Sequence, residues 1–567
     1  MTLSRAASPS VNGVRREHNR VAILPSSEEM IKRKYSRFAS REQLDSKPEF
    51  EQVEDNSQED SRRLSRRDHD KIYYCRAWRR LSGVTQVISP GDEEAPIHNR
   101  MTHSEKVALT AWAIASNLIA NSDAETQYRI AQLGGLDADM AAAAALAHDL
   151  GHPPFGHTGE QALNAWAERH GLSDGFEGNA QTFRIVTRLA RWSKGEMGLN
   201  LHLGTLTAIA KYPWIRGAKL HGFQNLDHNL SIDDAIAKKV EDKKVSELER
   251  HRYWEKFSSY NDDESALLAA RSWMPDAFKA EGAHKLAQSL EASVMDCADD
   301  ISYAIHDFED FAGSRLIDLK PVINACQDWL HKEGEKDSTS NWCTVVAKRL
   351  DSKDPEQFKP KMFKKAVEWF VGQLNQENIK QSTKPEYQSN AEILEALRTS
   401  DWLDDSLTHD SFYIVEDEPA GTQWNSGPML RMKPEIWHRI ALLKSMTLDH
   451  VVASPVVSAH QMAARRTVRD LADALFQWAD ARADEAYRGV PDDLRNLLVF
   501  RVEKEREKMN SKSSSYYTDV EIDPHKLEQI TARCVIDYIC SLTDRNVRRL
   551  ASRLNGQEAG PLMPMML

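Results

Sequence analysis

The sequence predicts an all-α fold. Three observations carry that expectation. Apolar residues recur at three- and four-residue spacing in segment after segment, strand-like alternation is rare, and 567 residues can bury a large helical core.

In chain order, residues 1–60 are rich in Ser, Arg and Glu and are interrupted by Pro9, Pro25 and Pro48, so an irregular N-terminal arm is expected. From Asp68 the text changes to DHDKIYYCRAWRRLSGVTQV, where Ile72, Cys75, Trp78 and Leu81 form an apolar helical stripe. Between His103 and Asn121, Val107, Ala111, Ile114 and Leu118 recur on one face. His103 lies four residues before Val107 and therefore points the same way, inward. Residues 139–150, DMAAAAALAHDL, form an alanine-rich helix that lets neighbours approach closely. Gly151 and Pro153–Pro154 end it. Thr158 and Gln161 fit a capping box for the next helix.

Residues 225–285 are charged and helical in composition, as expected of a surface insertion. Residues 287–312 form a long amphipathic helix. Residues 376–390 suggest a linker, Ser411–Val415 a short strand, and Glu503–Tyr517 a loop or frayed helix end. Val468, Leu471, Leu475 and Trp478 again have helical spacing. The domain expectation is an arm over 1–60, a core over 61–320 and a mainly helical region over 321–567.

Composition removes several classes. Gly and Pro, 25 and 21 residues, are too few for a collagenous or low-complexity chain. The apolar run Met140–Ala147 is far too short to span a bilayer. The start, MTLSRAASPSVNGVRR, lacks the apolar stretch of a secretory signal, and the six cysteines form no CxxC pair. A reduced, cytoplasmic chain with no membrane contact is expected. Net charge is −12, which argues against coating nucleic acid. Residues 1–80 nonetheless hold 18 Lys and Arg against 13 Asp and Glu, so a polyanionic ligand would need a local basic site.

The chemistry concentrates in His148-Asp149-Leu-Gly-His152-Pro-Pro-Phe-Gly-His157-Thr-Gly-Glu160. Adjacent His and Asp can both reach an ion over a helix end, and imidazole with carboxylate suits a divalent transition metal, Mg²⁺ or Mn²⁺. Two ligands are too few. His103 and either Asp299 or Asp300 are the candidates to complete the set. A lone HD dipeptide is common by chance. Its company here, an inward His upstream and the CADDISYAIHDFED helix downstream, shifts the balance towards a metal site.

These motifs resemble the HD-domain deoxynucleoside triphosphate triphosphohydrolases, the dGTPase-like branch of the HD phosphohydrolases. The resemblance runs through DHDKIYYCRAWRRLSGVTQV, NRMTHSEKV, AHDLGHPPFGHTGE, FEGNAQTFRI, TLTAIAKYPW and ADDISYAIHDFED, about half the chain. It implies an HD-domain helical bundle with helical insertions and a C-terminal helical extension. It places the metal ligands on His103, His148, Asp149 and Asp299, the last by its spacing to Tyr303 and Asp307, with Asp300 as the other register. The implied reaction is metal-dependent hydrolysis of a deoxynucleoside triphosphate, dGTP by family precedent, to deoxynucleoside and intact triphosphate. The metal would help present water or hydroxide to the α-phosphorus.

By the same resemblance His157 is the general acid for the 5′ oxygen, with Glu160 supporting its ring. Without the resemblance, Glu160 reads as a first-turn carboxylate favoured by the helix dipole. Arg100, Lys211 and Tyr212 are implied phosphate and base contacts, and Gln86, Tyr303 and Asp307 a sugar site that admits no 2′ hydroxyl. Arg184 could meet a phosphate through its fork or be an ordinary helix arginine. Gly178 stands where relatives often have His. Relatives assemble into homo-oligomers, often hexamers, and a dNTP or single-stranded DNA effector fits the family. The alternatives are an HD phosphohydrolase acting on another nucleotide, or a nucleotide-sensing or nucleic-acid-binding regulator.

Overall fold

The computed structural model describes residues 37, 63–87, 98–192, 198–216, 255–274, 287–314, 316–331, 341–355, 357–374, 399–415, 428–483, 486–512 and 522–557. The expected linker at 376–390 and nearly all of the arm lie outside the described residues. Among those described, helices dominate and only one two-stranded sheet occurs, so the fold is all-α.

The apolar stripe beginning at Asp68 is carried by α1 (Leu64–Tyr74) and α2 (Arg76–Arg80), with a break at Cys75. Cys75 is extended there and its sulfur accepts the Trp78 N–H, so it caps α2. The stripe survives the break: Ile72, Cys75, Trp78 and Leu81 are all buried. Next come α3 (Arg100–Asn121), started by Asn99 accepting Thr102 N–H, then α4 (Ala124–Gln132) and α5 (Ala138–Ala147). Every residue of α5 from Met140 to Ala147 is buried, and the small side chains let α1, α3, α8 (Leu203–Ile209) and α10 (Leu290–Gly313) pack around it. Between α5 and α8 lie α6 (Gly156–Arg169) and α7 (Gly178–Arg184). The short α9 (Glu264–Ala270) precedes α10.

The rest of the chain runs α11 (Leu319–His331), α12 (Trp342–Lys353), α13 (Pro360–Leu374) and α14 (Thr399–Ser406). Strand β1 (Phe412–Ile414) pairs antiparallel with β2 (Leu430–Met432), Tyr413 opposite Arg431, as the strand reading at 411–415 anticipated. Then follow α15 (Pro434–Thr447), α16 (Pro455–Asp480), α17 (Asp492–Lys512), α18 (Pro524–Ile539) and α19 (Asp544–Leu554).

Three local expectations need correction. Helix α6 begins at Gly156, two residues before Thr158, but its cap is Phe155 in a left-handed conformation, and no capping box forms. Of the expected loop or frayed helix end at Glu503–Tyr517, residues 503–512 continue α17 as helix, beyond the turns that Leu494, Leu498 and Val502 anchor in a core, and the rest lies outside the described residues. The described part of the charged insertion is not all surface. Phe257, Tyr260, Trp273 and Met274 are buried, since an insertion with aromatic residues can cover a core as well as decorate it.

Among the described residues two large apolar cores result, beside a small cluster of Leu203, Trp273, Met274 and Ala287. One gathers around α3, α5 and α10 and continues through α11–α15 as far as Val457. The other joins Leu163 and Trp166 of α6 to α16–α19. Both draw on residues either side of position 320. The stretch from His148 to Phe155 runs from the first core, where Leu150 packs, to the second, where Phe155 packs. The HD motif therefore lies on the seam. Among the described residues, no single helix is long and apolar enough to cross a membrane.

Candidate metal centre and its surroundings

Helix α5 ends with His148 as its C-cap, still in right-handed helical backbone, so the His–Asp pair sits at the C-terminal end of that helix. His148 Nδ1 lies 2.6 Å from the Ala145 carbonyl oxygen. That contact makes Nδ1 the protonated nitrogen and leaves Nε2 free to bind a cation. His103, inward on α3, and Asp299, on α10, converge on the same point. His103 Nε2 is 3.2 Å and His148 Nε2 3.6 Å from Asp299 Oδ1. One ligand atom from each lies within 4.8 Å of the others. Two imidazole nitrogens and a carboxylate oxygen suit a divalent cation, so this trio could hold one.

Asp149, the fourth expected ligand, stands beside the trio. Its Oδ1 is 3.5 Å from His148 Nε2 and 2.9 Å from His152 Nδ1, and its Oδ2 accepts from Arg100 Nη1 at 2.7 Å. Burial would raise its carboxyl, but Arg100 and the two histidines hold it well below the usual carboxylate range. The Asp299 carboxyl is likewise raised by burial and lowered further by Lys211, His148 and His103. Asp300 turns away and accepts from Lys444 at 2.6 Å, so Asp299 is the register that faces the histidines.

Arg100 is buried between Asp149 and the Thr85 carbonyl, to which its Nε donates at 3.1 Å. The structure thus gives it a carboxylate, where the resemblance implied a phosphate. Lys211 Nζ is 2.8 Å from Asp296 and 3.1 Å from Asp299. Tyr212 is half-buried against Trp214.

His157 lies at the start of α6 with its side chain 69% exposed, and its Nδ1 is 2.9 Å from Glu160 Oε2. The opposite ring edge therefore faces solvent. Burial would raise the Glu160 carboxyl, but its bond to His157 and the charge of Lys256 hold it well below the usual range. Lys256 Nζ bridges Glu160 at 3.3 Å and Glu177 at 3.1 Å. His152, whose ring centroid is 5.3 Å from that of His157, is pushed down to about 4 by burial and by Arg100, against the pull of Asp149. It is neutral at pH 7. A Cβ on Gly178 would stand 3.3 Å from the His152 ring, so the missing side chain makes room for that imidazole.

Two of the three expected sugar residues share a feature. Gln86 Oε1 and Asp307 Oδ2 are buried, and neither finds a hydrogen-bond partner among the described residues. A buried acceptor left unpaired is costly, and a polar ligand would relieve it. The Asp307 carboxyl is raised well above its ordinary value by burial and by the charges of Asp310 and Asp299. Tyr303, on the same helix, has Lys444 Nζ 5.8 Å above its ring.

Arg184 requires a correction. Its fork clasps Asp537 through Nε, at 2.9 and 3.1 Å, and Nη2, at 3.0 Å, while Nη1 donates to Asp263 at 2.9 Å. It is buried, and carboxylates occupy its fork. The reason is tertiary: α18 supplies a carboxylate that no local reading of FEGNAQTFRI could foresee. Lys256, Lys444 and Asp544 were also missed, since each lies far along the chain from the HD motif. A trace of signal existed for Asp544, because Thr543–Asp544 reads as a helix start.

Residues 100–197 match the HD domain family and residues 430–493 the phosphohydrolase-associated domain. The chain is 38% identical over 251 residues to a deoxyguanosinetriphosphate triphosphohydrolase-like protein of Streptomyces coelicolor, covering 43% of this chain and 46% of that one. A protein of the same description from Corynebacterium glutamicum is 37% identical over 265 residues, 46% and 49% of the two chains. Both matches span about half of the relative's length. A longer match, 25% identical over 511 residues, covers 87% of this chain and 93% of a like-named protein of Aliivibrio salmonicida. Residues 100–197 thus carry an HD domain with the histidine–aspartate cluster on its motif, and the chain is similar along most of its length to deoxyguanosinetriphosphate triphosphohydrolase-like proteins.

Proposed function

We propose that the chain is a metal-dependent triphosphohydrolase that splits deoxynucleoside triphosphates, dGTP foremost, into deoxynucleoside and inorganic triphosphate. The observation that carries this reading is the convergence of His103, His148 and Asp299 within 4.8 Å, with Asp149 beside them. Those four residues would hold the cation. When bound, it would supply positive charge to the oxygens of the phosphoryl group whose phosphorus water attacks.

His157 acts at the other end of the breaking bond. With Nδ1 held by Glu160, Nε2 is the atom that passes a proton to the departing 5′ oxygen. An alkoxide is a poor leaving group, so that proton matters. Lys211 and Lys444 stand on either side of the α10 carboxylates and offer positive charge to a triphosphate. The unpaired acceptors of Gln86 and Asp307 support a site for a sugar hydroxyl, and Tyr303 a wall that excludes a 2′ hydroxyl. Homo-oligomerisation and a dNTP or single-stranded DNA effector rest on the resemblance alone. A cytoplasmic location and the division into arm, 61–320 core and 321–567 region rest on composition and patterning along the sequence.

The test is incubation with each of the four dNTPs and GTP, with Mn²⁺ or Mg²⁺, followed by chromatography. Triphosphate with nucleoside supports the reading. Pyrophosphate with monophosphate, or no turnover, sinks it. In parallel, His148→Ala and Asp149→Ala should lower bound metal and abolish turnover in a folded protein; unchanged metal content would refute the ligand set.

A further inference from the structure

Asp544 opens α19, yet its carboxylate does not serve its own helix. Thr543 Oγ1 caps α19 by accepting Asn546 N–H at 3.3 Å. A first-turn carboxylate usually earns its place by facing its own N–H groups. Asp544 instead reaches across the seam. Its Oδ1 accepts Phe155 N–H at 2.8 Å, and its Oδ2 accepts the Thr85 N–H at 3.2 Å and the Thr85 hydroxyl. The side chain is buried, and its partners lie 389 and 459 residues away in sequence.

Both partners are mechanically significant. Phe155 is a non-glycine residue at φ +65°, a conformation that persists only when its surroundings hold it. It sets the direction in which α6 leaves, two residues before His157. Gly156 follows at φ +57°, so close to Arg100 that a Cβ would stand 2.7 Å from Nη2. Thr85 precedes Gln86 and gives its carbonyl to Arg100, which in turn holds Asp149. A second strut runs parallel. Arg80 donates to the Leu542 carbonyl at 3.1 Å and to the Leu150 and His152 carbonyls at 2.8 and 2.7 Å.

We propose that Asp544 is a positioning residue for the reaction put forward above: from the C-terminal helices it pins the Phe155 turn that aims His157 and the Thr85 segment that carries Gln86. The inference rests on that reading of the reaction, but the clamp itself can be tested without substrate. Asp544→Asn is isosteric, and its amide can no longer accept on both sides, so one set of N–H donors faces another.

The experiment uses the full-length, metal-loaded chain. Asp544→Asn should lower kcat for the preferred dNTP about 10- to 100-fold, the scale of a misplaced reacting group, with KM and metal content little changed. Amide hydrogen exchange, measured without substrate, should rise at Thr85 and over Phe155–His157 while the rest of α6 keeps its protection. Should Asp544→Asn fail to fold, Thr85→Val removes a single donor and should give the same local pattern, smaller in size. Wild-type kcat, or a rise in exchange spread evenly over the chain, would overturn the proposal. If wild type releases no triphosphate and exchange still rises locally, the clamp stands and the hydrolase reading falls.

Discussion

Replacing Arg184 with alanine should destabilise the fold and leave nucleotide binding almost untouched. The guanidinium is 1% exposed, and it contacts two carboxylates, Asp263 and Asp537, that are fully buried. Removing one member of a buried ion pair typically costs about 3–5 kcal/mol, because the remaining charge stays in a poor solvent. Here each carboxylate keeps a partner. Asp537 retains Gln181 Nε2 at 2.9 Å and Arg501 at 3.8 Å, and Asp263 retains Arg188. That residual pairing puts the cost near the lower bound, about 3 kcal/mol. Urea unfolding followed by circular dichroism should show a lower midpoint for Arg184→Ala. Asp537→Asn should also lower it, and the double variant should fall short of the sum, since the two residues share one network. An unchanged midpoint together with a raised KM would refute the reasoning. It would return Arg184 to the phosphate role that its place in FEGNAQTFRI suggests.

Three further outcomes are expected. His157→Ala should cost about two to four orders of magnitude in turnover, the usual range for general acid–base assistance, and Glu160→Gln a smaller loss. Near-normal turnover in His157→Ala would remove that residue from the mechanism. Tyr303→Ala should narrow the ratio of kcat/KM for dGTP over GTP, and Gln86→Ala or Asp307→Ala should weaken the preference for a free 3′ hydroxyl. A ratio unmoved by Tyr303→Ala would make that ring only a packing element. Acid stability should also depend on Asp68, which is fully buried with His202 Nδ1 at 2.9 Å and Lys71 at 3.4 Å. Burial alone would raise its carboxyl, but those partners more than offset this and depress it. A depressed carboxylate stabilises the fold above its unfolded pKa of about 3.9, and the gain is lost as pH falls through the folded value. Asp68→Asn should therefore flatten the acid limb of the stability curve below pH ~4; an unchanged limb would show that the pair does not contribute.

Much of the architecture is legible in the sequence because helical periodicity is local. The stripes through Ile72, Val107 and Val468 all lie on buried faces, and a fixed rise and turn decide which residues share a face. The metal candidates His103 and His148, and the Asp299–Asp300 pair, could be picked out too, through motif and spacing. Local patterns did not reveal which charged residue pairs with which. Asp299 and Asp300 are adjacent and chemically identical, and only the packing of α10 against α3 and α15 turns one to the histidines and the other to Lys444. The cap of α6 was misplaced for the same reason. It is neither Thr158 nor any nearby side chain, but a left-handed Phe155 held by a carboxylate 389 residues away.

By itself, then, the sequence determined the helical class, the inward faces and the position of the HD motif along the chain. The tertiary structure alone decided that Arg184 is clasped by α18, that Lys256 bridges Glu160 and Glu177, and that Asp544 spans the seam to Phe155 and Thr85. The physical reason is that hydrophobic periodicity is encoded in neighbours a few residues apart. A buried charge, by contrast, must find its partner wherever the folded chain brings one within hydrogen-bond reach.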